Sequence, residues 1–231
     1  MSWESSVEAW IVEQGEHGDE SRREILDPVV DSILSSVDGL KILDVGCGEG
    51  RYARKLKSRG AIVTGIDSSP LFIEACKKLD VNGDYVLGPA ERLPFVDESF
   101  DVVLSYLTLM DIDDDLAAID QMCRVARRGG EVVIVAISNM ASCTTGWVKD
   151  SSGRKLYRTV DRYMECFPMD CAWRGIEIVN WHRPLSRTLT AFLDNGMSLT
   201  RFQEPLPSRD SRLYESESRV PTFQVYTLVK L

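Results

Sequence analysis

The stretch of this 231-residue sequence with the clearest chemical potential is Asp44-Val-Gly46-Cys-Gly48-Glu-Gly50, a glycine-rich turn that follows an apolar run and opens a helical one. Glycines there let the backbone approach a ligand closely and leave amides exposed at a helix start. Asp67 ends the next apolar run, about twenty residues on, where a nucleotide-binding βαβ unit places the carboxylate that holds ribose hydroxyls. A dinucleotide loop G-x-G-x-x-G beginning at Gly46 needs glycine at the position held by Arg51. The pattern here is G-x-G-x-G, with Asp44 two residues ahead. An acid beside the loop repels a pyrophosphate and suits a cationic ligand.

Such a loop needs a rigid sheet behind it, and the sequence predicts one. Short apolar runs at 41–46, 61–67, 85–87, 100–105 and 131–137 alternate with helical stretches at 51–59, 70–79 and 115–128. The runs are nearly continuous in Val, Ile and Leu, as strands covered on both faces are. Strand, helix, strand at this spacing predicts an α/β fold: a Rossmann-like doubly wound sheet of about seven strands, mostly parallel. Residues 1–38 read as an N-terminal helical segment that serves as a lid. Residues 39–137 form the ligand-binding core, and 138–183 an aromatic cap inserted after the fifth strand. Residues 184–231 supply a helix (184–195) and the last two strands (198–202 and 223–229), with a surface loop at 208–218. These parts read as one domain.

Composition narrows the function classes. Lys and Arg number 27 against 36 Asp and Glu, a net charge of −9, so nucleic acid is a poor partner. No apolar run approaches the roughly 18 residues of a membrane span. The first residues lack a secretory pattern, and the six cysteines include no C-x-x-C pair. The expectation is a cytoplasmic protein with reduced thiols, no metal and no membrane, a monomer or homodimer.

The ordered segments resemble the class I S-adenosylmethionine-dependent methyltransferases. Leu43-Asp-Val-Gly-Cys-Gly-Glu-Gly matches their first motif and Gly65-Ile-Asp67-Ser-Ser-Pro their second. Gly88-Pro-Ala-Glu91-Arg-Leu-Pro-Phe95, Ser99-Phe-Asp101-Val-Val-Leu-Ser105 and Arg124-Val-Ala-Arg-Arg-Gly-Gly130 match later segments in the family's order. Asn180-Trp-His-Arg-Pro-Leu185 looks like a small-molecule subgroup. The resemblance implies S-adenosylmethionine as cofactor, with S-adenosylhomocysteine as product. By it, the backbone at Gly46, Cys47 and Gly48 faces the methionine part and Asp44 its ammonium. Asp67 takes the ribose, Ser68 sits beside the adenine, Ala90 and Glu91 lie at the adenine edge, and Leu107 lies near the sulfonium. Pro89 departs from the family, which often has an acid there to accept from the adenine amino group.

Methyl transfer from a sulfonium needs an aligned nucleophile, exclusion of water and, for a hydroxyl or protonated amine, a base. Its candidates after the fourth strand are Tyr106 and Asp111, and near the cap His182, whose imidazole titrates near neutral pH. His182 reads equally as a structural residue that orders the cap, and Asp111 as part of a solvated helix start. Trp147, Tyr163, Trp181 and Arg183 are candidates for the substrate wall, or pack the insertion onto the sheet. Across 140–185, seven Lys and Arg face five Asp and Glu, which suits a neutral or anionic small acceptor. Arg22 and His17 read as solvated, with a cofactor contact as the other reading of each. The sequence leaves three functions standing: a small-molecule methyltransferase, a tRNA or peptide methyltransferase, and a catalytically silent binder of the cofactor.

Overall fold

The computed structural model describes residues 3–231. Its frame is a seven-stranded sheet ordered β3-β2-β1-β4-β5-β11-β10. The strands are β1 (Lys41–Val45), β2 (Ile62–Asp67), β3 (Asp84–Leu87), β4 (Phe100–Tyr106), β5 (Ala126–Ile137), β10 (Met197–Gln203) and β11 (Phe223–Lys230). The first five are mutually parallel where they pair, and β11 runs antiparallel to both β5 and β10. The near-continuous apolar runs have a direct cause: successive residues serve two different cores. Ile42, Val102, Leu104, Val133 and Val135 face one, and Leu43, Val103, Val132 and Ile134 the other.

The first core is closed by the N-terminal helices and by α3 (Arg51–Lys57) and α4 (Pro70–Leu79), through Ile25, Leu26, Val30, Leu56 and Ile73. The second is closed by α5 (Asp115–Val125) and α7 (Leu185–Asp194), through Ile119, Met122 and Phe192. The N-terminal segment holds α1 (Val7–Gln14) and a π-helical turn (Arg22–Leu26) that runs into α2 (Asp27–Ile33). Caps fix the helix starts: Ser69 Oγ accepts from the Phe72 amide ahead of Pro70, and the Asp114 carboxylate accepts from the Ala117 amide. Each such cap contributes about 1 kcal/mol. No helix among the described residues is long and apolar enough to cross a membrane.

The helix expected to run to residue 128 stops at Val125, because Ala126 is extended and pairs with Phe100 across a bulge. The inserted segment begins with α6 (Asn139–Ser142) and holds two antiparallel hairpins, β6 (Thr144–Lys149) with β7 (Lys155–Val160), and β8 (Phe167–Trp173) with β9 (Ile176–His182). The turn at 150–153 closes the first hairpin, with Asp150 Oδ1 accepting from the amides of Ser152 and Arg154. The stretch expected as loop at 208–218 contains one short helix, α8 (Tyr214–Glu217).

Chain order places β1 and β4 side by side although they are far apart in sequence. The crossovers leave that point in opposite directions, so a crevice opens beyond the carboxyl ends of these strands. The glycine loop folds into it, with Gly46 and Cys47 amides both donating to the Ile66 carbonyl. Gly46 has φ +70°, and a β-carbon there would lie 2.1 Å from Thr108 Cγ2. Gly129 has nearly the same φ, +69°, with nothing within 4 Å of the added carbon. Alanine at Gly129 therefore carries only the backbone cost of about 1 kcal/mol. Alanine at Gly46 adds overpacking of about 1–3 kcal/mol. Urea denaturation of the two variants measures the difference directly, and equal losses would show that Thr108 gives way freely.

Candidate active site

A cavity of about 240 Å³ occupies the crevice. Asp44, Gly46, Cys47, Gly48, Asp67, Ser68, Ala90, Glu91 and Leu107 all line it, and so do Tyr106 and Asp111. Asp67 is the best-held group. Its Oδ2 accepts from the Gly48 amide and its Oδ1 from the Ser69 amide, both at 2.9 Å. A carboxylate has about four acceptor positions, so each oxygen keeps one for a ligand hydroxyl. Burial raises the Asp67 pKa, against the two amides that favour its charge.

Asp44 is buried at the end of β1 and has no hydrogen-bond partner among the described residues. Burial pushes its pKa up to about 7; Arg51 favours the charge, while Asp67 and Glu49 oppose it. An unpartnered carboxylate in an acidic cavity is set to receive a cation. Pro89 lines the same wall, and having no N–H it offers the ligand only its ring and carbonyl.

Asp111 stands on the turn after β4. Its Oδ2 accepts from Trp3 Nε1 at 3.1 Å, and its Oδ1 from the Asn180 side chain of β9. Burial pushes its pKa up to about 8, despite both donors and Arg22. Tyr106 contributes its ring but not a free hydroxyl. That hydroxyl donates to Asp27 Oδ1 at 2.7 Å, and burial carries its pKa well above the ordinary value.

The N-terminal segment forms the remaining wall. Trp3 and Trp10 meet edge to face at 5.0 Å, and Trp10 Nε1 donates to Glu49 Oε2 at 3.0 Å. Arg22, read from sequence as solvated, is buried: its guanidinium lies 4.7 Å from the Trp10 ring centroid and pairs with Asp19 at 2.5 Å. His17 is exposed beside Glu16 and does not line the cavity. Trp3, Gln14 and Thr108 also line the site and are not singled out in the sequence analysis above, while Arg51, which lines it too, stands out there only as a break in the dinucleotide pattern. The seven-residue spacing of Trp3 and Trp10, two helical turns, was the signal available for one of them.

The other candidates lie elsewhere. His182 is fully buried and absent from the cavity wall. Its Nε2 lies 2.9 Å from the Tyr163 carbonyl, which can only accept, and its Nδ1 lies 2.7 Å from Ser142 Oγ. Tyr163 and Phe167 pack on its ring. With both nitrogens engaged inside the cap, it has no route to a proton in the cavity. Tyr163 likewise packs within the cap. Trp147 stacks against Lys155 and Arg158 of the first hairpin and against Arg219, which follows α8. Arg183 spends its guanidinium on the carbonyls of Leu109, Ile112 and Asp113 and on Asp115. Trp181 and Arg183 line a separate, smaller cavity.

Residues 43–134 match the family of methyltransferase domains. A solved S-adenosylmethionine-dependent methyltransferase from Mesorhizobium loti superposes with a TM-score of 0.77 at 26% identity, over 88% of this chain and 96% of that one. The match to a methyltransferase domain thus spans the glycine loop and strands β1 to β5. A structure from Listeria monocytogenes shares the fold at TM-score 0.78 and 23% identity, over 88% of this chain and 96% of that one. Among curated proteins, the chain is similar to a malonyl-[acyl-carrier protein] O-methyltransferase from Serratia marcescens, 32% identical over 104 residues, or 45% of this chain and 41% of the relative. It is also similar to a demethylmenaquinone methyltransferase from Thermotoga maritima, 34% identical over 111 residues, or 47% of this chain and 48% of the relative. The chain thus spans less than half the length of these curated relatives.

The raised carboxyls predict a pH signature. A group whose folded pKa lies above its unfolded value keeps a proton that the unfolded chain releases, so stability falls as pH rises between the two values. For Asp111 that window runs from about 4, the ordinary aspartate value, to about 8. Between pH 5 and 8, without ligand, the wild-type protein should lose stability relative to Asp111→Asn as pH rises. Urea midpoints across this range check it; parallel curves would mean that Asp111 titrates normally.

Proposed function

We propose that this chain is an enzyme that transfers the methyl group of S-adenosylmethionine to a small organic acceptor. The observation that carries this reading is the pair Asp44 and Asp67 across one glycine loop. One is an unpartnered buried carboxylate, and the other is held by two amides with acceptor positions to spare. The cofactor suits that pair, since it has a cationic ammonium and a ribose, and when bound it supplies an electrophilic methyl on a positive sulfur. In this reading Asp67 holds the ribose hydroxyls, Asp44 the ammonium, and the backbone at Gly46 to Gly48 the methionine part. Ser68, Ala90 and Glu91 border the adenine, and Leu107 lies beside the sulfonium.

Residues 1–38 act as the lid. Trp3 and Trp10 exclude water from the reacting end, which strengthens every charge interaction there. Asp111 takes the acceptor's proton. A base works best with a pKa near the operating pH, and burial puts this carboxyl at about 8. The acidic chain, −9 overall, supports a small acceptor over nucleic acid. We place the protein in the cytoplasm, whose reducing conditions suit its six unpaired cysteines.

The test uses methyl-labelled S-adenosylmethionine with a cell extract separated by size. Label should enter the small-molecule fraction; label in RNA or protein would overturn the acceptor class. Asp67→Ala should weaken S-adenosylhomocysteine about 10- to 150-fold by calorimetry, from the loss of about 1.5–3 kcal/mol of charged hydrogen bonding. Asp111→Asn should lower turnover about 100-fold while leaving that affinity within a few fold.

A further inference from the structure

A second, smaller cavity of about 40 Å³ lies behind the turn Leu109–Asp111, at the carboxyl end of β5. That volume accommodates about three or four waters, or a functional group of a few heavy atoms, since one water needs roughly 10–15 Å³ by this measure. Its wall is polar and deeply buried. Gln224 of β11 is 4% exposed, Thr188 of α7 7%, and Tyr226 of β11 1%. The Gln224 carboxamide and the hydroxyls of Thr188 and Tyr226 have no hydrogen-bond partner among the described residues. Asn139 Oδ1 is buried and unpaired as well, while its Nδ2 donates to the Arg183 carbonyl at 2.6 Å.

Asn139 Oδ1 is sealed from solvent without a partner, and native proteins keep few such atoms. The Gln224 carboxamide and the Thr188 and Tyr226 hydroxyls keep their hydrogen-bonding positions open to the cavity, where a ligand can meet them. Its charge follows from what is already committed. Among the described residues, the charged side chains on this wall are Asp115, paired with Arg183 and Arg187, and Arg183, which also donates to backbone carbonyls, so the groups left to meet a ligand are neutral. The position is equally specific. Asn180 lines this cavity and donates its amide to Asp111, which lines the larger one.

We infer that this cavity is the anchoring subsite of the methyl acceptor. It takes an uncharged hydrogen-bonding group of that molecule (a hydroxyl, carbonyl or carboxamide) on Gln224, Thr188 and Asn139. The inference rests on the methyl-transfer reading and deepens it: Gln224 and Thr188 determine acceptor specificity, and the anchored acceptor directs its reacting atom toward Asp111.

Two measurements test it. With S-adenosylhomocysteine saturating, acetamide titrated into isotopically labelled protein should shift the side-chain amide signals of Gln224 and Asn139 saturably. Thr188→Val, which keeps volume, and Gln224→Met should each weaken that response at least 5-fold. Absence of saturable shifts in wild type overturns the subsite whatever the protein catalyses. In the labelled-methyl assay, run over a dilution series of the small-molecule extract, the same variants should raise the half-saturating amount at least 10-fold. Their S-adenosylhomocysteine affinity and melting temperature should stay at wild-type values. Wild-type half-saturation in both variants overturns the subsite while leaving the methyl-transfer reading intact. Saturable acetamide binding with no methyl transfer by wild type would overturn that reading and its acceptor role for the cavity.

Discussion

The buried carboxylate of Asp27 is the interaction on which the rest of the site depends. It accepts two N–H bonds from Arg51, at 2.7 and 3.1 Å, one O–H bond from Tyr106 at 2.7 Å, and a contact from Lys55 at 3.2 Å. Those partners stand at the start of α3, at the end of β4 and one turn along α3. One carboxylate therefore ties the N-terminal helical segment to both sides of the crevice. Burial opposes its charge, but Arg51 and Tyr106 together hold its pKa below the ordinary carboxylate value. Removing one member of such a buried pair strands the other, at about 3–5 kcal/mol. Arg51 is also the residue that breaks the dinucleotide fingerprint. The position where that loop would have a third glycine instead supplies the cation that anchors the N-terminal segment.

The same guanidinium shapes the cavity's electrostatics. Asp44, Glu49, Asp67 and Asp111 all face one small volume. Arg51 is the cation that most favours the Asp44 charge, yet burial still dominates. The site therefore carries a destabilising burden, since burial raises the carboxyls of Asp44, Asp67 and Asp111 above their ordinary value. A cationic ligand relieves it by supplying the missing charge, and an anionic one adds to it. This asymmetry is the physical basis for favouring a sulfonium nucleotide over a dinucleotide, and it is the three-dimensional form of the argument that Asp44 raised in the sequence.

What was legible in the sequence was local. The glycine loop, Asp67 at the end of β2 and the βαβ rhythm depend on residues within a few turns of one another, and periodicity reports such relations well. The chemistry of the N-terminal segment was less legible. Arg22 looks like a solvated charge on a helix, and its burial against Trp10 and beside Asp19 follows only once α1 folds over the loop. The inserted segment is legible as aromatic but the hairpin of β8 and β9 is not, because β8 carries polar and apolar residues without clean alternation. Gln224 and Thr188 carry no sequence signal at all. One sits mid-strand and the other mid-helix, and they meet only because β11 is added antiparallel beside β5.

The choice of base shows the limit most sharply. His182 is attractive from sequence because imidazole titrates near neutrality without help, whereas an aspartate needs its environment to bring it there. The fold supplies that environment at Asp111 and withholds access from His182. Yet the histidine still bears on the site. On β9, Ile176, Ile178, Asn180 and His182 are buried at alternate positions and so share one face. His182, bonded to Ser142 of α6 and to the Tyr163 carbonyl, pins the end of that strand against the cap. Two residues back on the same face, Asn180 reaches Asp111. A strand clamped at His182 holds Asn180 in register with the carboxylate, so the histidine serves the site through the geometry of the residue that touches its acid.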